Sequence, residues 1–122
     1  MKIRIRANTV RFRLGQSEMG MLRDGDAVVE MLSFGPQSSI TWSVRVGPSD
    51  EDASIESAPG SVRLTIPRLD WLEDESVEGY RATIESAPGY RVTVAVERDY
   101  ACVAPRDAAE DRDSFPNPAV GG

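Results

Sequence analysis

The chain has 122 residues, of which 40% are apolar, enough for one domain with a modest core. Its formal charge is −6, from 14 basic and 20 acidic side chains, and it contains no histidine. The missing imidazole excludes Ser-His-Asp and Cys-His catalysis and histidine-ligated metal sites. The single cysteine, Cys102, excludes an intramolecular disulfide and a thiolate metal cluster. We therefore expect a soluble domain without metal or cofactor, and the composition argues against an enzyme.

The charges are unevenly distributed along the chain. Residues 1–13 contain five basic side chains and no acidic ones, so the remaining residues sum to −11. A strongly acidic body repels phosphates at long range, which argues against non-specific nucleic-acid binding by the domain as a whole. The N-terminal segment is the candidate contact surface for an anion or a partner, through the side chains Arg4, Arg6, Arg11 and Arg13.

The dominant hydropathy period is two, which is typical of strands with one buried and one solvated face. This alternation covers residues 2–6, 10–14, 40–46, 62–66, 80–84 and 92–96. A less regular strand is predicted at 27–33 and a short one at 53–57, which makes about eight strands. Trp42 lies on a predicted inward face, so packing is its expected role.

Two segments break this alternation and are predicted to form short helices. Gly15–Arg23 and Pro67–Glu75 are too polar for strands and carry acidic residues near their starts. Each places apolar residues three positions apart, and a proline opens the second, as is common at the first position of a helix. Trp71 lies in the second segment and is assigned to packing.

Three short segments predict hairpin turns between the strands. Residues 34–38 read Phe-Gly-Pro-Gln-Ser, and the hexapeptide Ile-Glu-Ser-Ala-Pro-Gly occurs twice, at Ile55–Gly60 and Ile84–Gly89. Proline presets φ for the second position of a tight turn and glycine accepts a positive φ at the third, so a type II turn is expected in each hexapeptide.

The order of these elements suggests an internal repeat. Residues 10–46 align with residues 62–98 at an offset of 52, with about two residues of slippage between the helices. Two β-α-β-β units related by a pseudo-twofold axis explain this match, and the alternative is that alternating strands align with anything. The predicted fold is mainly β (α+β), a small barrel or sandwich of about eight strands and two short helices. It occupies residues 1–103, and an acidic, proline-containing strap or tail follows at 104–122.

A tandem β-α-β-β pair resembles the small barrels of the AbrB/SpoVT swapped-hairpin type and the double-psi type. The residues that carry this resemblance are Ile66-Pro67 and Gly25-Asp26-Ala27-Val28, a few in each unit. Members of that group often bind DNA as dimers, so the resemblance implies a DNA-associated regulator whose basic hairpin contacts phosphates. The acidic surface departs from the pattern.

A second resemblance covers nearly the whole chain. The opening Met1-Lys-Ile-Arg-Ile5, the Tyr100-Ala-Cys102 segment and the Phe115-Pro-Asn-Pro118 ending look like a family of small uncharacterised bacterial proteins. This resemblance implies no activity.

The tail contains the remaining candidate site residues, which are Cys102, Arg106 and Phe115. With no histidine to act as a base, Cys102 is interpreted as a structural residue rather than a nucleophile. Phe115 is interpreted as an anchor that holds the tail against the domain or a partner. The acidic residues at 107, 110, 111 and 113 lack the spacing of an EF-hand, so a solvated charged segment is expected instead of a cation site.

The functional prediction is a non-catalytic binding module that recognises a protein partner, or a second copy of itself, through strand edges near the N-terminus. A DNA-associated regulator is the alternative, and a small carboxylate-dependent or metal-dependent enzyme is the third hypothesis. The sequence contains no apolar segment of membrane-spanning length and no apolar core of a signal peptide, which predicts a cytoplasmic protein.

Overall fold

The computed structural model describes residues 1–48, 52–68, 70–74 and 79–100. The elements of the first half are β1 (Lys2–Arg6), β2 (Thr9–Leu14), α1 (Gln16–Arg23), β3 (Val28–Gly35) and β4 (Ser38–Val46). The elements of the second half are β5 (Ser54–Ala58), β6 (Ser61–Ile66), a 3-10 turn (Asp70–Leu72), β7 (Gly79–Ala87) and β8 (Tyr90–Arg98). The prediction of a mainly β protein with about eight strands is confirmed.

The strands form two four-stranded sheets, each built from both halves of the chain. The first sheet has the order β1-β2-β8-β7 and the second has the order β3-β4-β6-β5. Four antiparallel hairpins supply the outer pairs, and the two central pairs, β2 with β8 and β4 with β6, are parallel. Neither half therefore completes a sheet by itself.

The pairing registers of the two sheets correspond at an offset of 52 residues. Phe12 pairs with Val96 in the first sheet, and Leu64 pairs with Val44 in the second. The antiparallel pairs follow the same relation, because Lys2 opposite Arg13 corresponds to residues 54 and 65, which are also opposite each other. The two sheets therefore share one pairing scheme, and an internal repeat of two β-α-β-β units stays a prediction.

One apolar core lies between the two sheets and receives alternate side chains from their inner strands. Phe12 and Val96 enter it from the first sheet, and Val44 and Leu64 enter it from the second, all with 0% exposure. Trp42 packs edge to face on Phe12 at a centroid distance of 6.2 Å, which confirms its packing role. The period of two in the sequence is thus the burial period of a two-layer β structure.

The first predicted helix is confirmed and the second is wrong. Within the described part of residues 67–75, the backbone forms a single 3-10 turn. Arg98 Nη2 donates hydrogen bonds to the carbonyl oxygens of Trp71 (2.5 Å) and Leu72 (3.3 Å), and Arg23 Nη1 donates to that of Leu72 (3.1 Å). In an α-helix, these carbonyl oxygens would accept hydrogen bonds from backbone amides of the next turn. Here they accept hydrogen bonds from the arginine side chains of α1 and β8 instead. Trp71 is buried, as predicted.

The sheets do not close into a barrel, so the sandwich alternative describes the fold and the expectation of a swapped-hairpin barrel is wrong. In the described residues, no hydrogen-bonded ladder joins an outer strand of one sheet to an outer strand of the other. The outer strands β1 and β5 have only five residues each. Each forms its ladder on one side only, β1 with β2 and β5 with β6. Four strand edges therefore remain at the rims of the two sheets.

The two Ala-Pro-Gly turns adopt the backbone that their sequence predicts. Gly60 has a φ of 79° and Gly89 a φ of 82°, the left-handed values that the third position of a type II turn requires. They join β5 to β6 and β7 to β8, which confirms both hairpins. The turn at residues 36–37 joins β3 to β4 and confirms the third.

Candidate interaction surfaces

The outer face of the first sheet carries a cluster of arginine side chains. Strand alternation places residues 4 and 6 of β1, 11 and 13 of β2 and 81 of β7 on this face, because Val10, Phe12 and Leu14 point into the core. Arg4 lies directly opposite Arg11, which pairs in turn with Ala95. Ala95 pairs with Arg81 on the next strand. The four arginines singled out in the sequence thus share one face, and a fifth joins them from the other half.

Two of the basic residues at this face form ion pairs. Arg11 binds Glu97 through Nε at 2.8 Å and Nη2 at 3.1 Å, a two-point contact between neighbouring strands. The Arg11 guanidinium holds the pKa of the Glu97 carboxyl below its usual range, with smaller contributions from the charges of Arg13 and Arg81. Lys2 forms an ion pair with Asp99 at 2.8 Å. Part of the charge of the basic hairpin is therefore compensated by acidic groups at the end of β8.

An open groove lies between four of the five arginines, and Arg13 lies outside it, opposite Glu97 on β8. The groove has a volume of about 190 Å³ and is bounded by Arg4, Arg6, Thr9, Arg11 and Arg81. In the part of the chain that the structure describes, no acidic side chain forms an ion pair with Arg4, Arg6 or Arg81. The groove is consequently a cationic depression on a protein whose formal charge is −6.

The second candidate surface is the free edge of the second sheet, formed by β3. Its apolar side chains are exposed on both faces of the strand: Val29 is 56% exposed, Met31 61%, Leu32 54% and Phe34 67%. β3 pairs with β4 on one side only, so its outer backbone groups have no strand partner in the described structure. Eight residues form this edge. A long apolar edge is a template for the pairing of another strand.

The charge of β3 is compensated within the molecule. Its one charged side chain, Glu30, lies 3.0 Å from the N-terminal ammonium of Met1, which also binds Glu18 at 2.6 Å. Hydrogen bonding to Glu18, with a smaller contribution from Glu30, raises the pKa of this ammonium above its usual range despite the opposing effect of burial. The β3 edge thus begins beside the start of β1, close to the N-terminal segment, and presents an almost uncharged strand.

The two candidate surfaces differ in the chemical groups that they present. Within the described ranges, no group of three or more acidic or cysteine side chains is placed to hold a metal ion. Cys102, Arg106 and Phe115, together with the acidic cluster of the tail, lie outside the described residues. The chemistry on these two surfaces is hydrogen bonding by guanidinium groups and backbone pairing at a sheet edge.

Sequence reasoning missed Arg81 and the exposed residues of β3. Arg81 lies more than sixty positions from the basic hairpin, and only the parallel pairing of β2 with β8 brings the two together. The β3 edge had a weaker signal, because apolar residues at both odd and even positions of 28–34 fit a strand that is not half-buried.

A family model described as a family of unknown function matches residues 1–119. The whole-chain resemblance to an uncharacterised family is thereby confirmed, while a bacterial origin stays a prediction. No curated protein and no solved structure matches the chain. In the described residues, no helix has both the length and the apolar character needed to cross a membrane.

Proposed function

Since the chain belongs to the family of unknown function DUF7009, its role has to be inferred from its surfaces, and we propose that it is a protein-interaction module that pairs with a second copy through β3. The module has no catalytic role and acts in the cytoplasm, where a single cysteine stays reduced. The observation that carries the proposal is the free, eight-residue β3 edge with four exposed apolar side chains.

Comparison with the other strand edges favours β3. The edge strand β5 also carries one charged side chain, Glu56, but it has only five residues and one large apolar side chain, Ile55. The edge strand β1 carries three cationic side chains at positions 2, 4 and 6, and the edge strand β7 carries Arg81 and Glu85. Charged side chains on edge strands oppose pairing with another chain, and these edges have them. β3 has only Glu30, which is already bound to the N-terminal ammonium.

A second copy fits this edge better than a highly charged partner does. An antiparallel pair of β3 strands about a twofold axis would place the same apolar patch against itself, the usual arrangement of a homodimer. The exposed Met31 and Leu32 would lie near the centre of that pair. Because the edge is nearly neutral, two molecules with a formal charge of −6 each would approach there with little local repulsion.

The oligomeric state of the Met31→Arg variant tests this proposal. Light scattering after size exclusion, over a range of concentrations, should give the wild type a mass of twice 13.3 kDa. Met31→Arg adds a desolvated charge at the pairing edge and should give a monomer. The matched control is Thr83→Arg, which introduces the same side chain at the equivalent position of β7 and should remain dimeric.

Two results would overturn the proposal. One is a monomeric wild type at every concentration, and the other is a Met31→Arg variant that associates as strongly as Thr83→Arg. Far-ultraviolet circular dichroism of each variant establishes that the fold is intact before the masses are compared.

A further inference from the structure

We propose that the groove between Arg4, Arg6, Arg11 and Arg81 is a binding site for a compact anion that carries a phosphate group. This site lies on the outer face of the first sheet and does not depend on pairing through β3. Its ligand class is a small phosphate or phosphate ester, and its contacts are guanidinium hydrogen bonds.

The strand register brings the cationic groups to one place. Arg4, Arg11 and Arg81 occupy one row across four strands, with Ala95 between the last two. Two strand spacings separate the backbones of Arg11 and Arg81, about 10 Å. The Ala95 side chain between them is small and buried, and the groove is bounded by arginines of β1, β2 and β7. A tetrahedral anion in the groove can therefore contact guanidinium groups from three strands.

The local electrostatics favour a bound anion. Arg4 and Arg11 are directly opposite each other on adjacent strands, and like charges in that position repel. Glu97 fixes the Arg11 guanidinium by a two-point contact, while Arg4, Arg6 and Arg81 form no ion-pair contact with a described acidic side chain. The charge of Arg81 acts on Glu97 only at longer range. An anion in the groove would relieve the repulsion, and the hydroxyl of Thr9 would add a hydrogen-bond donor.

The size and setting of the groove favour a small ligand over an extended polyanion. Its volume of about 190 Å³ accommodates one or two phosphate groups. The rest of the protein is acidic, so a DNA duplex or an acidic peptide that extended beyond the groove would meet repulsion. We therefore assign the site to a small phosphate compound instead of nucleic acid.

Calorimetric titration of the full chain at low ionic strength tests the assignment, with inorganic phosphate, pyrophosphate and adenosine monophosphate as separate probes. Saturable binding of one molecule of at least one probe is expected. Binding of phosphate or pyrophosphate indicates a site for free phosphate, and binding of adenosine monophosphate alone indicates a phosphate ester. Arg4→Gln and Arg81→Gln should each weaken binding by about tenfold or more, since each removes one charge-assisted contact.

Arg63→Gln is the matched control, because Arg63 is the counterpart of Arg11 on the outer face of the second sheet and is exposed. This variant should bind like the wild type. Absence of saturable binding by all three probes would overturn the proposal, as would equal weakening by Arg63→Gln, which would indicate a general charge effect. Tight binding of a DNA duplex or a polyglutamate peptide without binding of the small probes would assign the groove to that macromolecule.

Discussion

The outer faces of the two sheets differ far more than their inner faces do. At the 52-residue offset, the buried Phe12 corresponds to the buried Leu64, and Val96 corresponds to Val44. On the outside, by contrast, Arg81 of the first sheet corresponds to Val29 of the second. The pairing scheme and the core are shared, whereas the surfaces differ, with a cationic groove on the first sheet and an apolar edge on the second.

This contrast distinguishes the residues that stabilise the fold from the residues that are available to contact other molecules. Positions that are apolar in both sheets are explained by the common core, so they carry no functional information. Positions that differ between the sheets are free of that constraint, and both candidate surfaces consist largely of such positions. The exceptions are Arg11, which matches Arg63, and Leu32, which matches Ile84. Each residue of one surface therefore has a counterpart in the other sheet that serves as its experimental control.

The largest expected effect concerns the shared core. Phe12→Ala should lower the free energy of unfolding by about 3–5 kcal/mol, and Leu64→Ala by about 2–5 kcal/mol, because both side chains are fully buried. Since each sheet contains strands from both halves, both variants should unfold in one transition. Urea denaturation followed by fluorescence and circular dichroism measures this. Two separate transitions in either variant would show that the sheets are independent.

A smaller effect is expected at the two equivalent turn glycines. A side chain at a φ near 80° costs about 1–2 kcal/mol, and this applies to both Gly60 and Gly89. A Cβ at position 60 would in addition lie 2.9 Å from the backbone oxygen of Ser39, whereas one at position 89 meets no atom within 4 Å. Gly60→Ala should therefore lower the melting temperature more than Gly89→Ala. Equal losses in differential scanning calorimetry would contradict the close approach at position 60.

The smallest effect concerns the ion pair between Arg11 and Glu97 on the outer face of the first sheet. Arg11 lowers the pKa of Glu97 in the folded protein, so the pair stabilises the fold above the ordinary carboxyl pKa. This contribution, about 1 kcal/mol or less for a partly exposed pair, is lost as the pH falls through the folded pKa. Glu97→Gln should thus reduce stability at pH 7 and leave it nearly unchanged at pH 2.

Stability curves in urea at several pH values measure that difference. Glu56→Gln removes one exposed carboxylate from the outer face of the second sheet and controls for the loss of negative charge as such. If Glu97→Gln and Glu56→Gln gave the same pH dependence, the two-point contact with Arg11 would not contribute to stability.

Strands and turns were accessible from the sequence because their signals are local. Alternation marks the buried face of each strand, and Pro-Gly marks the positive φ of Gly60 and Gly89. The segment around Trp71 shows where local reasoning fails. Its carbonyl oxygens accept hydrogen bonds from Arg23 and Arg98, which both lie far from this segment in the sequence. Tertiary contacts therefore stabilise a 3-10 turn where the sequence predicts a helix.

The candidate surfaces were accessible only in part. Four arginines of the groove's face lie within ten residues of one another, and their alternation already placed them on one side of a hairpin. Arg81 was not accessible, because its position depends on which strand lies beside β2. The same holds for the free edge of β3, since strand order is a property of the assembled sheets and no local pattern specifies it.

The parallel pairing of distant strands has a consequence for synthesis on the ribosome. β2 pairs with β8 and β4 with β6, so the first half of the chain emerges with two strands whose inner edges have no partner. Phe12 and Val96 are 84 positions apart, and β8 ends 52 residues after β4. At a translation rate of about 5–20 residues per second, those 52 residues take about 3–10 s. β4 gains its partner β6 within the first 20 of those residues, whereas β2 waits for β8 through the whole interval. Throughout it the inner edge of β2 and the side chains that face the first sheet remain open to contact with other chains.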